Sequence, residues 1–202
     1  AGLGDAAPFW DEVVDRLDLD LDIHGQVPRN LDGPTIFIAN HPYGVLDGIV
    51  LCWIASQSRA NFKILIHQAL CRLPEMADHV LPVDFSGTRE AQKVNLASRA
   101  AAREHLAGGG SLLVFPAGAI STTPKLLSRK AVDWDWQPLA ARLIRQTKAS
   151  VVPVFFAGQN SQLFQCASHI SQTLRYALIF HEVFRRVGTK FEASIGDVIP
   201  YT

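Results

Sequence analysis

The sequence is short of several things, and each shortage removes a class of explanation. Its three cysteines, Cys52, Cys71 and Cys166, are odd in number and far apart, with no C-x-x-C pair. That pattern excludes a disulfide framework and argues against a thiolate metal or redox site, so a reduced, cytoplasmic-side setting is expected. Charge of one sign is also missing. The 19 basic residues are balanced by 19 acidic ones, and nothing points to a nucleic-acid or strongly acidic partner. No apolar run reaches the roughly 18 residues of a membrane span, and no cationic, apolar leader opens the stretch. Binding to a bilayer face needs neither, so it stays open. Apart from His41, the histidines (His24, His67, His79, His105, His169 and His181) show no H-x3-H or H-E-x-x-H spacing. No metal site is expected from them. No G-x-S-x-G appears either, which removes the usual serine hydrolase elbow.

What is present reads as an α/β fold. At 202 residues and 48% hydrophobic, the chain is sized for one domain with a sizeable core. Apolar runs at Leu19–Ile23, Thr35–Ala39, Phe62–Ile66, Val80–Val83, Leu112–Phe115, Val151–Phe156 and Phe191–Ile195 read as strands. Helical patterns fall between them, at about Gly44–Ser56, Glu90–Leu106, Pro138–Lys148 and Leu163–Val187. This alternation predicts a mixed, largely parallel sheet covered by helices, in a single domain over residues 1–202. No repeat or low-complexity tract marks a linker. Gly108-Gly109-Gly110 reads as a helix stop, since no Lys-Ser/Thr follows to make a phosphate loop; no cofactor is implied.

Residues 1–18 are expected to hold an amphipathic helix. Phe9, Trp10, Val13, Val14 and Leu17 repeat at helical spacing opposite Asp11, Glu12, Asp15 and Arg16. Packing on the domain and contact with lipid both suit such a face. The Leu163–Val187 segment, with its apolar residues and Arg175, Arg185 and Arg186, is expected to pack on the core, and of the two segments it is the better candidate for lipid. Trp134 and Trp136 suit an entrance or an interface.

The chemistry concentrates after the strand at Thr35–Ala39, in Asn40-His41-Pro42-Tyr43-Gly44-Val45-Leu46-Asp47-Gly48. Imidazole is the side chain best suited to taking a proton near neutral pH, and a carboxylate can set its tautomer. On one continuous helix, six residues would separate His41 and Asp47 by about 240°. They meet only if His41 lies in a turn and the helix begins after it, which Pro42 and Gly44 permit. Two readings of Asp47 fit: orienter of His41, or helix cap. Asn40 either positions the loop or offers a donor. Phe115-Pro116-Ala117-Gly118 follows another buried strand and should emerge beside His41 if the strands are parallel, because such sheets place sites at the carboxyl ends of strands. Gly118 allows close backbone approach, with nearby N–H groups for an oxyanion. Ser86-Gly87-Thr88-Arg89 opens a helix with a cap, amides and a cation that suit an anion. Simple solvent exposure of Arg89 is the alternative.

Four blocks in order resemble the glycerolipid (lysophospholipid) acyltransferase superfamily. Its His-Asp block is usually N-H-x4-D, and the form here, Asn40-His41 through Asp47, is one residue longer, like a bacterial hemolysin-like branch. Pro82–Arg89 stands at the acceptor block, Val114–Ser121 where the family has F-P-E-G-T-R, and Val151–Val154 with Gly158–Ser161 at the fourth. The resemblance implies an O-acyltransferase with no cofactor, in which His41 is the general base and Asp47 its orienter. Asn40, Gly44, Ser86–Arg89 and Phe115–Gly118 would contact substrate. With no obvious nucleophile, the acceptor hydroxyl would attack the acyl thioester directly. The implied partners are an acyl carrier protein or coenzyme A thioester, a lysolipid, and the membrane surface at the cytoplasmic face of the bacterial inner membrane, held peripherally.

Departures from the family pattern refine the expected acceptor. Ala117 replaces the usual Glu and Ile120 the usual Arg, positions that help hold the phosphate of a glycerol-phosphate acceptor. A lyso-ornithine-type aminolipid, with Arg89 meeting its carboxylate, is therefore expected ahead of lysophosphatidate. A non-catalytic lipid-binding or trafficking module is the reading from another class.

Overall fold

Thr35–Ala39 (β2) is apolar on both faces, and in the computed structural model it is nearly fully buried near the middle of a seven-stranded sheet. The structure describes residues 6–29, 31–58, 61–71, 76–126 and 128–202. The remaining strands are β1 (Asp20–His24), β3 (Phe62–His67), β4 (Val80–Val83), β5 (Ser111–Val114), β6 (Ser150–Phe156) and β7 (Lys190–Ile195). Their order is β1-β7-β6-β2-β5-β3-β4. Strands β4, β3, β5, β2 and β6 are mutually parallel. β7 runs antiparallel to β6, and β1 follows β7. Five carboxyl ends therefore open on one edge of the sheet.

Period-two alternation along the central strands splits the core into two layers. Phe37, Ala39, Leu113, Val152 and Val154 belong to one cluster; Ile36, Leu112 and Val114 belong to the other. The first layer is covered by α1 (Ala6–Arg16) and α2 (Val45–Gln57), the second by α3 (Arg89–Ala107) and α4 (Leu139–Thr147). α2 is apolar nearly all round, as a helix sunk in the core must be, and buries Leu46, Val50, Leu51 and Ile54. A Gly-rich stop does end α3: Gly108 is its C-cap, and a Cβ on Gly110 would overlap the His105 ring.

Two expectations resolve here. Of the 1–18 segment, residues 1–5 lie outside the described residues. The helix that follows packs on the domain: Trp10 and Val14 are buried, and Trp53 Nε1 donates to Asp11 Oδ1 at 2.8 Å. The expected helix Leu163–Val187 is two helices, α5 (Gln162–Ile170) and α6 (Gln172–Arg186). Ser171 is extended between them (φ −157°, ψ 131°), and its hydroxyl accepts the Leu174 N–H. Helical periodicity continues across this break, but a serine cap outweighs it locally.

Candidate active site at the carboxyl edge of the sheet

The chain leaves β2 at Asn40, whose amide prolongs the ladder. Asn40 Nδ2 donates to the Phe156 carbonyl at 2.9 Å, and Asn40 Oδ1 accepts the Phe156 N–H at 2.7 Å. Asn40 thus ties the ends of β2 and β6 and positions the loop. Gly44 then turns the chain with φ +86°, a region that suits glycine, and α2 starts at Val45. A Cβ on Gly44 would stand 2.6 Å from Ile120 Cδ1, so the Ile120 side chain packs directly against this glycine.

His41 and Asp47 meet across this turn, with His41 Nδ1 3.1 Å from Asp47 Oδ2. The same Oδ2 accepts the N–H groups of Tyr43 at 2.7 Å and Gly44 at 2.8 Å. Both readings of Asp47 therefore describe one oxygen: it caps the first turn of α2 and faces the imidazole. Asp47 is wholly buried, and the His41 side chain keeps 17% exposure. Burial pushes the Asp47 carboxyl above its usual range, opposed by His41 and the two backbone donors. A carboxylate 3.1 Å from Nδ1 favours the tautomer with the hydrogen on that nitrogen, and that tautomer has its lone pair on Nε2, where a proton can be taken.

The His41 backbone is held at both ends by residues the motif does not contain. Its N–H donates to Asp133 Oδ1 at 3.1 Å, and its carbonyl accepts the Ser121 N–H at 2.8 Å. The Ser121 hydroxyl donates to the same Asp133 oxygen, and Trp136 Nε1 donates to Asp133 Oδ2 at 3.0 Å. The imidazole stacks on Phe115, centroids 4.1 Å apart. Sequence reasoning reached Trp136 only as a possible entrance and passed over Asp133 altogether.

β5 does emerge beside His41. In the Phe115–Gly118 turn, the Gly118 N–H donates to the Phe115 carbonyl at 3.0 Å, so this amide closes the turn and is not left for an oxyanion. Ala117 and Ile120 are both buried. A charge at either position would be taken out of water, which explains the neutral residues physically. A buried cation does reach this segment from α6. Arg175, 7% exposed, donates to the Ile120 carbonyl at 2.6 Å and to Thr122 Oγ1 at 2.7 Å. No motif marks Arg175; only the helix packing brings it there.

The fourth block is scaffold around Tyr43. The Tyr43 hydroxyl donates to the Ala157 carbonyl at 2.9 Å, and a Cβ on Gly158 would overlap that hydroxyl. Gln159 Oε1 accepts the Ala131 N–H at 2.8 Å.

The Ser86–Arg89 segment follows β4, three strand spacings or roughly 14 Å from β2. All four residues are exposed. The expected ring of free amides is reduced, because Ser86 N–H donates to Asp84 Oδ1 at 2.8 Å and Thr88 Oγ1 caps Ala91 at 3.1 Å. Phe85 leans back toward the site, and a Cβ on Gly118 would lie 3.7 Å from its ring.

Comparison with known proteins places this arrangement. A family model described as "Acyltransferase" matches residues 24–201, nearly the whole chain and every residue of the site described above. The chain belongs to that acyltransferase family. A lyso-glycine lipid O-acyltransferase of Phocaeicola vulgatus is 25% identical over 202 residues, covering 96% of this chain and 69% of that protein. One of the same name from Bacteroides thetaiotaomicron is 24% identical, covering 96% of this chain and 71% of its own length. The His41–Asp47 pair thus sits in an acyltransferase, at the exit of β2. Among the described residues no helix is long and apolar enough to cross a membrane.

Proposed function

We propose that this acyltransferase moves a fatty acyl group from an acyl carrier protein or coenzyme A thioester to the hydroxyl of a lyso-aminolipid. The observation that carries the reading is the His41–Asp47 contact at the exit of β2, with Nδ1 3.1 Å from a fully buried carboxylate. His41 Nε2 removes the acceptor proton as the hydroxyl oxygen attacks the thioester carbonyl. The collapsing intermediate expels the thiolate, and the proton on His41 returns to that leaving group. Asp47 holds the ring and offsets its charge during the step. Asp133, Ser121 and Arg175 position the loop that carries it.

The acceptor is one whose head group has a carboxylate and no phosphate. Buried Ala117 and Ile120 provide no clamp for a phosphate, and Arg89 is exposed at the head of α3 for a carboxylate. Amino acids joined to a lipid through nitrogen keep that carboxylate. The names of the two relatives put glycine in the head group of their acceptor, so lyso-glycine lipid joins lyso-ornithine lipid as a substrate. The protein works peripherally, at the cytoplasmic face of the bacterial inner membrane.

The test is kcat/KM for lyso-glycine lipid, lyso-ornithine lipid and lysophosphatidate with one shared labelled acyl donor. We expect the aminolipids to be preferred by about 10-fold or more, the value of one charge-assisted hydrogen bond. Arg89→Ala should erode that preference through the acceptor KM. Equal or better use of lysophosphatidate would overturn the acceptor assignment. Absence of transfer to any acceptor would favour a lipid-binding module.

A further inference from the structure

Helix α6 is built inside out. At 100° per residue, Arg175, Glu182 and Arg186 fall within about 40° of one another on the helix wheel, and each holds a different loop at the site edge. Arg175 holds the 120–122 segment. Glu182 accepts the Ser161 hydroxyl at 2.5 Å and the Ser161 N–H at 2.9 Å. Arg186 donates to the Tyr43 hydroxyl at 2.9 Å and lies 4.4 Å over its ring. Arg175 and Glu182 are buried, whereas Tyr176, Phe180, Phe184 and Val187 are exposed, Phe184 by 75%. Those four side chains span an arc of about 80° on the other side of the helix. An ordinary amphipathic helix turns such an arc inward. Here the three polar anchors prevent it.

The exposed arc runs on toward the site. Tyr176 lies 6.3 Å from the His67 ring, His67 lies 5.9 Å from Phe85, and Phe85 borders Gly118. A contiguous aromatic patch of this kind marks a contact surface. Its charge identifies the partner. The one acidic residue of α6, Glu182, is buried and turned inward, while Arg185 is exposed on the side of the helix beyond Phe184, 3.8 Å from Glu182. An aromatic helix face with an exposed arginine beside it, and no carboxylate of the helix turned outward, fits anionic lipid.

We propose that the outer face of α6, led by Tyr176, Phe180 and Phe184, seats this acyltransferase on an anionic lipid bilayer with the His41 edge of the sheet toward the membrane. The proposal builds on the lysolipid acyltransferase reading and names the surface through which a bilayer-borne acceptor arrives. The seat is apolar contact by the aromatic arc plus attraction of Arg185 to the head groups.

The test is co-sedimentation of the full chain with vesicles of phosphatidylcholine and phosphatidylglycerol. Phe180→Ser with Phe184→Ser should lower the partition coefficient by about 10-fold or more and leave kcat/KM for detergent-dispersed acceptor within about 2-fold. Unchanged partitioning would overturn the proposal. Phe184→Trp retains an aromatic ring, and brominated acyl chains should quench its added emission; absence of added quenching would also overturn it. Sedimentation velocity covers the other occupant: a wild-type dimer that the double variant dissociates would assign this face to a second copy and sink the lipid assignment. The two readings fail separately. Transfer in detergent without vesicle binding removes only the docking surface, and arc-dependent vesicle binding without transfer removes only the enzymatic reading.

Discussion

Helices α2 and α6 both bury charge beside the site, and they do it in opposite ways. α2 is apolar nearly all round and buries one carboxylate, Asp47, among Leu46, Val50, Leu51 and Ile54. α6 buries Arg175 and Glu182 and leaves its largest apolar side chains outside. Hydrophobic burial would place α2 where it is whether or not Asp47 were present. α6 is held by hydrogen bonds from charged groups to three loops, each of which is worth more than a neutral bond and costs more to break. The lesson is that Asp47 is a burden on its helix, whereas Arg175 and Glu182 are what attach theirs.

The sharpest way to break the comparison is through the group Asp47 serves. His41→Ala should lower kcat by roughly 10²–10⁴-fold with little change in melting temperature. Near-wild-type turnover in the folded variant would remove His41 as the base.

Asp47→Asn should lower kcat on the order of 10²-fold or more by favouring the wrong tautomer, yet leave stability equal or higher. Burial raises the Asp47 pKa, so the folded chain holds that proton to higher pH than the unfolded chain does. The contribution of Asp47 to stability is therefore fullest below the ordinary carboxylate range and declines as pH rises through the folded pKa. The asparagine variant lacks that decline. Urea unfolding of both proteins at low and neutral pH should show the stability difference moving in the variant's favour as pH rises. The opposite drift would mean that the pairing with His41 outweighs burial.

Arg175→Met probes the other helix. Removing the guanidinium leaves the Ile120 carbonyl and the Thr122 hydroxyl without their donor, and we expect a loss of about 2–4 kcal/mol. Chemical denaturation measures it, and a neutral result would show that α6 is held by apolar packing after all. On the outer face, Phe184→Ser should change stability by less than about 0.5 kcal/mol, because the side chain is already exposed. A larger loss would mean that the aromatic arc packs on the protein.

Much of this was legible in the residues. All seven strands and the α2 turn were, because apolar runs and Gly-Pro punctuation act within a few residues. The Ser171 break was signalled by a serine in cap position, but helical spacing on both sides masked it. The loop partners of His41 carried no such signal. Asp133 lies 92 residues from His41, and Arg175 lies 55 from the carbonyl that it holds. That one oxygen of Asp47 both caps α2 and faces His41 was also out of reach, since cap and orienter predict the same residue.

The sequence alone determined the local elements, the two-sided core of the central strands and the turn that lets His41 approach Asp47. Each of these follows from side-chain period or backbone freedom over a short stretch. Only the tertiary structure decided which carboxyl ends lie together and that Asp133 and Ser121 grip the His41 loop. It also decided that α6 turns its charges inward. Those outcomes depend on long-range strand order and on whether a buried charge finds partners, and neither quantity is encoded in the spacing of neighbouring residues.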